Sequence, residues 1–252
     1  MSDVATLPTT RDEDWRYADA AALRDLTAET LDGWHEITLA AGEAQVQTYV
    51  LDDSAPGVTR VRLALGEGAR AEIYAIASAS DYTRLEVEVT LARGAHFEFG
   101  GVTIGGGEVT REFVTRVRHA EPEATSNQTI RAVHWNRATG NFLGRIEVVK
   151  DAQKTDAAQN FRAILLEKGA TANTKPELEI FADDVKCAHG AAIGALDDSA
   201  GYYMAARGIP PHVARRLQVQ AFVADAFVAR EDETLAENML AKVLDRLEEA
   251  AI

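Results

Sequence analysis

The only cysteine of this chain stands two residues before a histidine, in the run Lys175-Pro-Glu-Leu-Glu-Ile-Phe-Ala-Asp-Asp-Val-Lys-Cys-Ala-His-Gly190. Thiolate and imidazole are the protein ligands best suited to iron and zinc. In an extended segment residues i and i+2 share a face, about 6 to 7 Å apart, so Cys187 and His189 can address one site. A cluster or a structural zinc takes about four protein donors, and one cysteine can form no internal disulfide. A metal at this pair therefore requires a partner to supply the remaining ligands. The competing reading is structural, because a lone cysteine commonly packs as a small apolar side chain and a lone histidine as a hydrogen-bonded group.

Other chemistry is sparse. Asp183 and Asp184 form a carboxylate pair that could do acid–base work, tune a neighbouring metal or proton site, or simply make a polar corner. His35, His96, His119, His134 and His212 are scattered, which fits surface or packing roles. The chain contains no G-x-x-x-x-G-K-[ST], G-x-S-x-G, H-E-x-x-H or C-x-x-C, which argues against P-loop nucleotide hydrolysis, serine-hydrolase, zincin and dithiol chemistry. Gly100-Gly101 and Gly105-Gly106-Gly107 lack dinucleotide-binding spacing and read as two tight turns flanking a short strand.

Composition narrows the partners. The chain has 252 residues, 46% hydrophobic and 26% charged, with a formal charge of −14: one or two globular domains. That charge opposes binding to nucleic-acid phosphates and to anionic membranes, so neutral or basic protein surfaces are expected. The opening MSDVATLPTTRDEDW has neither the basic nor the apolar part of a secretory signal, and no run approaches the ~18 apolar residues of a membrane span. A single cysteine fits a reducing cytoplasm.

The elements that must position these residues show in the periodicity. Residues 12–26 predict a short helix with Trp15, Ala18, Ala22 and Leu26 on one face. From Ile37 to Phe181 apolar residues alternate, as in Val61–Leu65, Ala71–Ile76, Leu85–Leu91, His96–Phe99, Phe113–His119, Arg145–Val149 and Glu177–Phe181, which are strands. Small corners recur at Gly68-Ala69, Gly94-Ala95, Gly169-Ala170 and Gly190-Ala191. Such a pattern fits a solenoid of stacked coils or a β-sandwich. After Ala195 the period is helical. Asp197 or Asp198 caps a helix ended by Gly208, and Pro210-Pro211 opens a second whose stripe is Val213, Leu217, Ala221, Ala224 and Val228. A third opens on the capping box Thr234-Leu-Ala-Glu237, with Leu235, Met239, Val243, Leu244 and Leu247 as its packing face.

Residues 174–210, TKPELEIFADDVKCAHGAAIGALDDSAGYYMAARGIP, resemble the signature of the SufB/SufD family of iron–sulfur cluster assembly proteins, in its SufD branch. Phe142–Ala157, Gln159–Leu166 and Glu13–Tyr17 are similar to other parts of that family. Where members often read Cys-Ser-His-Gly-Ala-Thr, this chain reads Cys187-Ala-His-Gly-Ala-Ala192, which removes two hydroxyls that could support a metal-facing group. The chain is short for the family, which implies a reduced N-terminal helical region. The resemblance implies a right-handed parallel β-helix over 37–194, between a helical segment at 1–36 and a helical domain at 195–252. It implies a non-catalytic scaffold that pairs with a SufB-like subunit through the β-helix and binds the SufC ATPase through the C-terminal helices. A nascent iron–sulfur cluster would be shared at the SufB–SufD interface with Cys187 and His189. Pairing with a second copy of itself, and association with a flavin, stay open. The alternative function is a β-solenoid enzyme on carbohydrate or acyl substrates, using Asp183, Asp184 or a scattered histidine.

Overall fold

The computed structural model describes residues 7–55, 57–228 and 233–249. The first six residues, read above for a leader, Ala229 and the residues just ahead of the last helix lie outside them. The strands are Trp34–Leu39 (β1), Ala44–Leu51 (β2), Val58–Leu65 (β3), Arg70–Ala77 (β4), Thr83–Leu91 (β5), His96–Gly105 (β6), Thr110–His119 (β7), Thr125–His134 (β8), Thr139–Val148 (β9), Asp156–Leu165 (β10), Thr171–Ile180 (β11) and Lys186–Gly194 (β12). Odd and even strands fall into two six-stranded sheets, ordered β1-β3-β5-β7-β9-β11 and β12-β10-β8-β6-β4-β2. Every pairing between neighbours is parallel. Each odd–even strand pair is thus one coil of a solenoid, and the sandwich reading is excluded because its sheets are antiparallel.

Register explains why alternation dominates the sequence. Inward positions stack coil upon coil: Leu63, Val89, Val117 and Ile146 in one sheet, and Ala75, Gly101, Ile130 and Phe161 in the other. Phe97, Phe99, Phe113, Phe142 and Phe161 are at most 1% exposed, and burying each such ring contributes about 1.5–3 kcal/mol. The coil lengthens along the chain, from 26 residues between Arg60 and Glu86 to 32 between Arg145 and Glu177. Corners at Gly68 and Gly94 have φ of +64° and +62°, where L side chains are strained. Gly190-Ala191 is not a corner; it lies inside β12.

The glycines of β6 also differ from expectation. Gly100 and Gly101 are no turn but the middle of that strand. A Cβ on Gly100 would meet the Ala226 carbonyl at 2.0 Å, and one on Gly101 would meet the Phe113 ring at 2.7 Å. Gly100 therefore lets a helical turn dock outside the sheet, while Gly101 makes room for an aromatic ring inside it. Gly105 and Gly107 do turn the chain, with φ of +145° and +86°.

The C-terminal helices lie on the outer face of the even-strand sheet. Asp197 caps Asp198–Ala205 by accepting from the Ser199 amide at 2.9 Å, and Gly208 follows at φ +80°. A second helix, Pro211–Ala224, runs into a 3-10 turn at Asp225–Phe227, and a third spans Glu233–Glu249. Thr234 is thus already inside the third helix, and the cap itself lies outside the described residues. The third helix buries Met239, Val243 and Leu247 as its stripe predicts, but the second buries Ala214, Val219 and Val223, with Leu217 left 44% exposed. Its docking face is rotated because the sheet offers Tyr74, Ile76, Val102, Ile104, Val133 and Trp135, and the residues that fit them include Val219, Val223 and Phe227. Arg131, 3% exposed at its side chain, clamps the join by donating through Nε to Asp225 Oδ2 at 3.1 Å.

The N-terminal run is not one helix. It forms a 3-10 turn at Glu13–Trp15 and short helices at Ala22–Asp25 (α1) and Ala28–Asp32 (α2). Asp19 Oδ1 interrupts it by accepting from the Ala21 and Ala22 amides, and just beyond it Thr27 Oγ1 caps α2 by accepting from the Thr30 amide. The predicted apolar side chains still converge, since Trp15, Ala18, Ala22 and Leu26 pack with Leu23, Val58 and Tyr82. Beneath them Arg84, fully buried, pairs with Glu112 at 3.1 Å and lies 3.6 Å from the Trp15 ring.

Because the Ala226 carbonyl has no retreat from a Cβ at position 100, Gly100→Ala is expected to lower the unfolding free energy by about 1–3 kcal/mol. Chemical denaturation of the whole chain checks it. An unchanged midpoint would mean that the docked turn moves freely.

Candidate functional site

Cys187 and His189 do not continue the strand that contains Glu177–Ile180. A corner intervenes, fixed by Phe181 N donating to the Val148 carbonyl at 2.9 Å and Asp184 N donating to Gln153 Oε1 at 2.8 Å. The pair then sits on β12, the last strand of the other sheet, which is bonded to β10 alone. Its register places Cys187 beside Ala157 and His189 beside Gln159. Those neighbours point inward, at 1% and 2% exposure, so the cysteine and histidine share the inward face where the solenoid ends. The shared face predicted from their spacing is therefore present.

Cys187 is half-buried against a cluster that includes Ala157, Leu178 and Val185, whereas His189 is exposed. Burial pushes the Cys187 thiol up, and the Asp156 carboxylate adds to that shift. The nearby acid acting on the thiol is thus Asp156, from the adjacent strand. Asp183 and Asp184 are exposed on the corner. Among the described residues no group of three or more His, Cys, Asp or Glu side chains is placed to hold a metal ion. Two donors and an open edge are what this chain brings.

Sequence reasoning missed the polar column that leads to the pair. Inward stacks run Phe97, Ser126, Ala157, Cys187 and Phe99, Gln128, Gln159, His189. These two columns thus change from aromatic to small or polar side chains over three coils. Thr115 Oγ1 donates to Gln128 Oε1 at 2.5 Å, and Ser126 Oγ stands 3.0 Å from His119 Nε2. Gln159 Nε2 lies 3.3 Å from the Glu177 carbonyl, while its Oε1 is buried without a hydrogen-bond partner. The signal was available in the glutamines at inward positions of otherwise apolar alternation.

The scattered histidines join no site. His35 and His212 are exposed, and His96 Nδ1 stands 2.7 Å from Thr125 Oγ1. His119 and His134 are fully buried. Burial holds His119 down to about 4, and burial with the nearby Arg111 charge holds His134 down to about 3. The open end has two unlike edges. In β12 the chain carries Gly190 and Gly194 and no proline, whereas β11 carries Pro176 between Lys175 and Glu177.

Comparison with known proteins gives a consistent family. The SUF system FeS cluster assembly SufBD core domain matches residues 19–222. The iron–sulfur cluster assembly protein SufD of Escherichia coli is 37% identical over 133 residues, 53% of this chain and 31% of that protein. An iron–sulfur cluster assembly SufBD family protein of Synechocystis is 30% identical over 169 residues, 67% of this chain and 37% of the relative. The chloroplastic protein ABCI7 of Arabidopsis thaliana is 45% identical over 100 residues, 38% of this chain and 21% of that one. The aligned segments span about a third or less of the length of these relatives.

The buried histidines set an acid limit on the fold. Above the unfolded value of 6.5 they are neutral in both states; below it the unfolded chain binds protons that the folded chain refuses until about pH 3 to 4. Stability should therefore fall as pH drops from 6.5 towards 4, by up to about 1.4 kcal/mol per pH unit for each histidine. His134→Asn should flatten that limb in urea titrations at stepped pH. An unchanged slope would assign the acid sensitivity elsewhere.

Proposed function

This chain belongs to the SufBD core family of SUF-system iron–sulfur cluster assembly proteins, and from that membership we propose that it is a non-catalytic, SufD-like scaffold subunit. In this reading it pairs with a SufB-like subunit through the β-helix, and a nascent iron–sulfur cluster is cargo held transiently between them. The observation that carries the proposal is the placement of Cys187 and His189 on the inward face of the terminal strand, where two donors meet an unpaired sheet edge. A thiol pushed up by burial is a poor resident ligand until a metal or a cationic partner lowers it, which suits transient contact. A reducing cytoplasm is the proposed setting. Among the described residues no helix is long and apolar enough to cross a membrane.

The ATPase of such a complex would be a SufC-like partner, with hydrolysis moving the scaffold rather than doing chemistry on this chain. The C-terminal helices are the proposed dock. Support comes from their outward side, where Leu217 is 44%, Tyr203 59%, Tyr202 77% and Val228 73% exposed. Large apolar side chains left in water on neighbouring helices favour a protein partner. Deleting everything after Ala195 would also strip the cover from Tyr74, Ile76 and Val102, so point changes test the dock more cleanly than truncation. Leu217→Asp should weaken capture of the ATPase by about tenfold or more, measured by surface binding with the β-helix spectrum unchanged. Undiminished capture would move the dock elsewhere.

The cargo site is tested by cluster yield on reconstituted complexes. His189→Ala should lower the yield without preventing subunit assembly, because an exposed imidazole contributes little packing but one ligand or proton acceptor. Cys187→Ser should have an equal or smaller effect if the main sulfur acceptor lies on the SufB-like partner. Normal yield from the double variant would make the pair merely structural.

A further inference from the structure

Away from the open edge, one guanidinium is buried with no carboxylate in ion-pair contact among the described residues. Arg111 on β7 is 2% exposed. Its Nε donates to the Ala79 carbonyl at 2.8 Å and its Nη2 lies 3.5 Å from the Gly106 carbonyl. Its Nη1 is buried with no hydrogen-bond partner. Among the described residues no carboxylate forms an ion pair with it, unlike Arg84, which meets Glu86 and Glu112. The space around it is shaped for a flat cation: a Cβ on Gly105 would stand 2.7 Å from Arg111 Cζ.

This guanidinium lines a cavity of about 310 Å³ whose walls include Ser78, Ser80, Gly106, Trp135 and Arg246. That volume falls in the range of small-molecule sites. Arg246, from the last helix, brings a second guanidinium, held by donation to the Ser78 carbonyl at 3.0 Å. Asp53 stands 3.5 Å from Arg246 and accepts from the Ser80 amide and hydroxyl at 2.5 and 2.7 Å. Its charge offsets both guanidiniums in part, Arg246 by contact and Arg111 from farther away. Burial first, then the Arg246 charge, depresses Arg111 to about 10, as expected where two cations share one cavity.

A buried charge is normally paired. Carbonyl oxygens accept at two of the three Arg111 guanidinium nitrogens, and the third, Nη1, has no hydrogen-bond partner. We propose that this cavity is an oxoanion site that takes the phosphate group of a small molecule, with Arg111 and Arg246 as its cationic ligands. A phosphate is an anion whose tetrahedral oxygens can accept from both guanidinium forks at once. A carboxylate has only two oxygens, which satisfy one fork and leave the other guanidinium unmet.

The test titrates the full chain with inorganic phosphate, and separately with acetate, at constant ionic strength, reading calorimetric heat and ³¹P line broadening. Saturable phosphate binding is expected, weakened about tenfold or more in Arg111→Gln and by a smaller factor in Arg246→Gln. Arg246 lies nearer the surface, so that variant decides the matter if Arg111→Gln does not fold. No saturable phosphate binding, equal affinity in both variants and the parent chain, or acetate binding as tight as phosphate would each overturn the proposal.

Discussion

Parallel hydrogen bonding in fixed register between successive coils is the constraint from which the rest of this molecule follows. Each strand between the two ends is bonded to the coil before and the coil after, and a slip of one residue would turn every inward side chain to the other face. Register therefore decides that Ala75, Gly101, Ile130 and Phe161 form one internal column, and that the columns ending in Cys187 and His189 run through Ser126 and Gln128. The site has no local scaffold of its own. It inherits its geometry from the coils stacked behind it.

The same register builds the outer surface of the odd-strand sheet. Glu36, Arg62, Glu88, Arg116, Arg145 and Glu177 stand side by side on consecutive strands, with Arg62 bonded to both Glu36 and Glu88. Exposed pairs of this kind contribute at most about 1 kcal/mol each. Under the N-terminal segment the balance differs. Burial alone would raise the Glu86 carboxyl, yet Arg84 and Arg116 outweigh it and hold it below its usual range. Removing one member of such a buried group leaves the others uncompensated, at a cost of about 3–5 kcal/mol. Trp15, Tyr82 and Arg84 therefore bind the first residues of the fold to its centre, although they lie far apart in sequence.

Much of this was legible in the sequence because a solenoid translates alternation into structure without long-range rearrangement. The strands around Val61–Leu65 and Phe113–His119 lie where alternation puts them, and the shared face of Cys187 and His189 follows from their spacing. What alternation could not show was contact between elements. The stripe containing Leu217 and Val228 is as apolar as the one that docks, and only the shape of the sheet around Gly100 selects Val219 and Val223. The N-terminal run does not form the single helix its pattern suggests because Asp19 offers a cap inside it. Gln128 and Gln159 carry a signal in the alternation itself, since each shares the parity of apolar neighbours such as Ile130 or Phe161, but a polar side chain at such a position is easily taken for solvent-facing.

Pro176 gives the end of the solenoid a directionality that its two sheets do not otherwise have. Proline lacks the amide that a strand ladder requires, and charge beside it further discourages pairing; β11 has both, in Pro176 with Lys175, Glu177 and Glu179. In β12 small residues replace them, and every amide is retained. A polypeptide prolonging this structure would therefore be favoured on β12 over β11. Extension at this end is biased towards a one-sided seam rather than a closed tube.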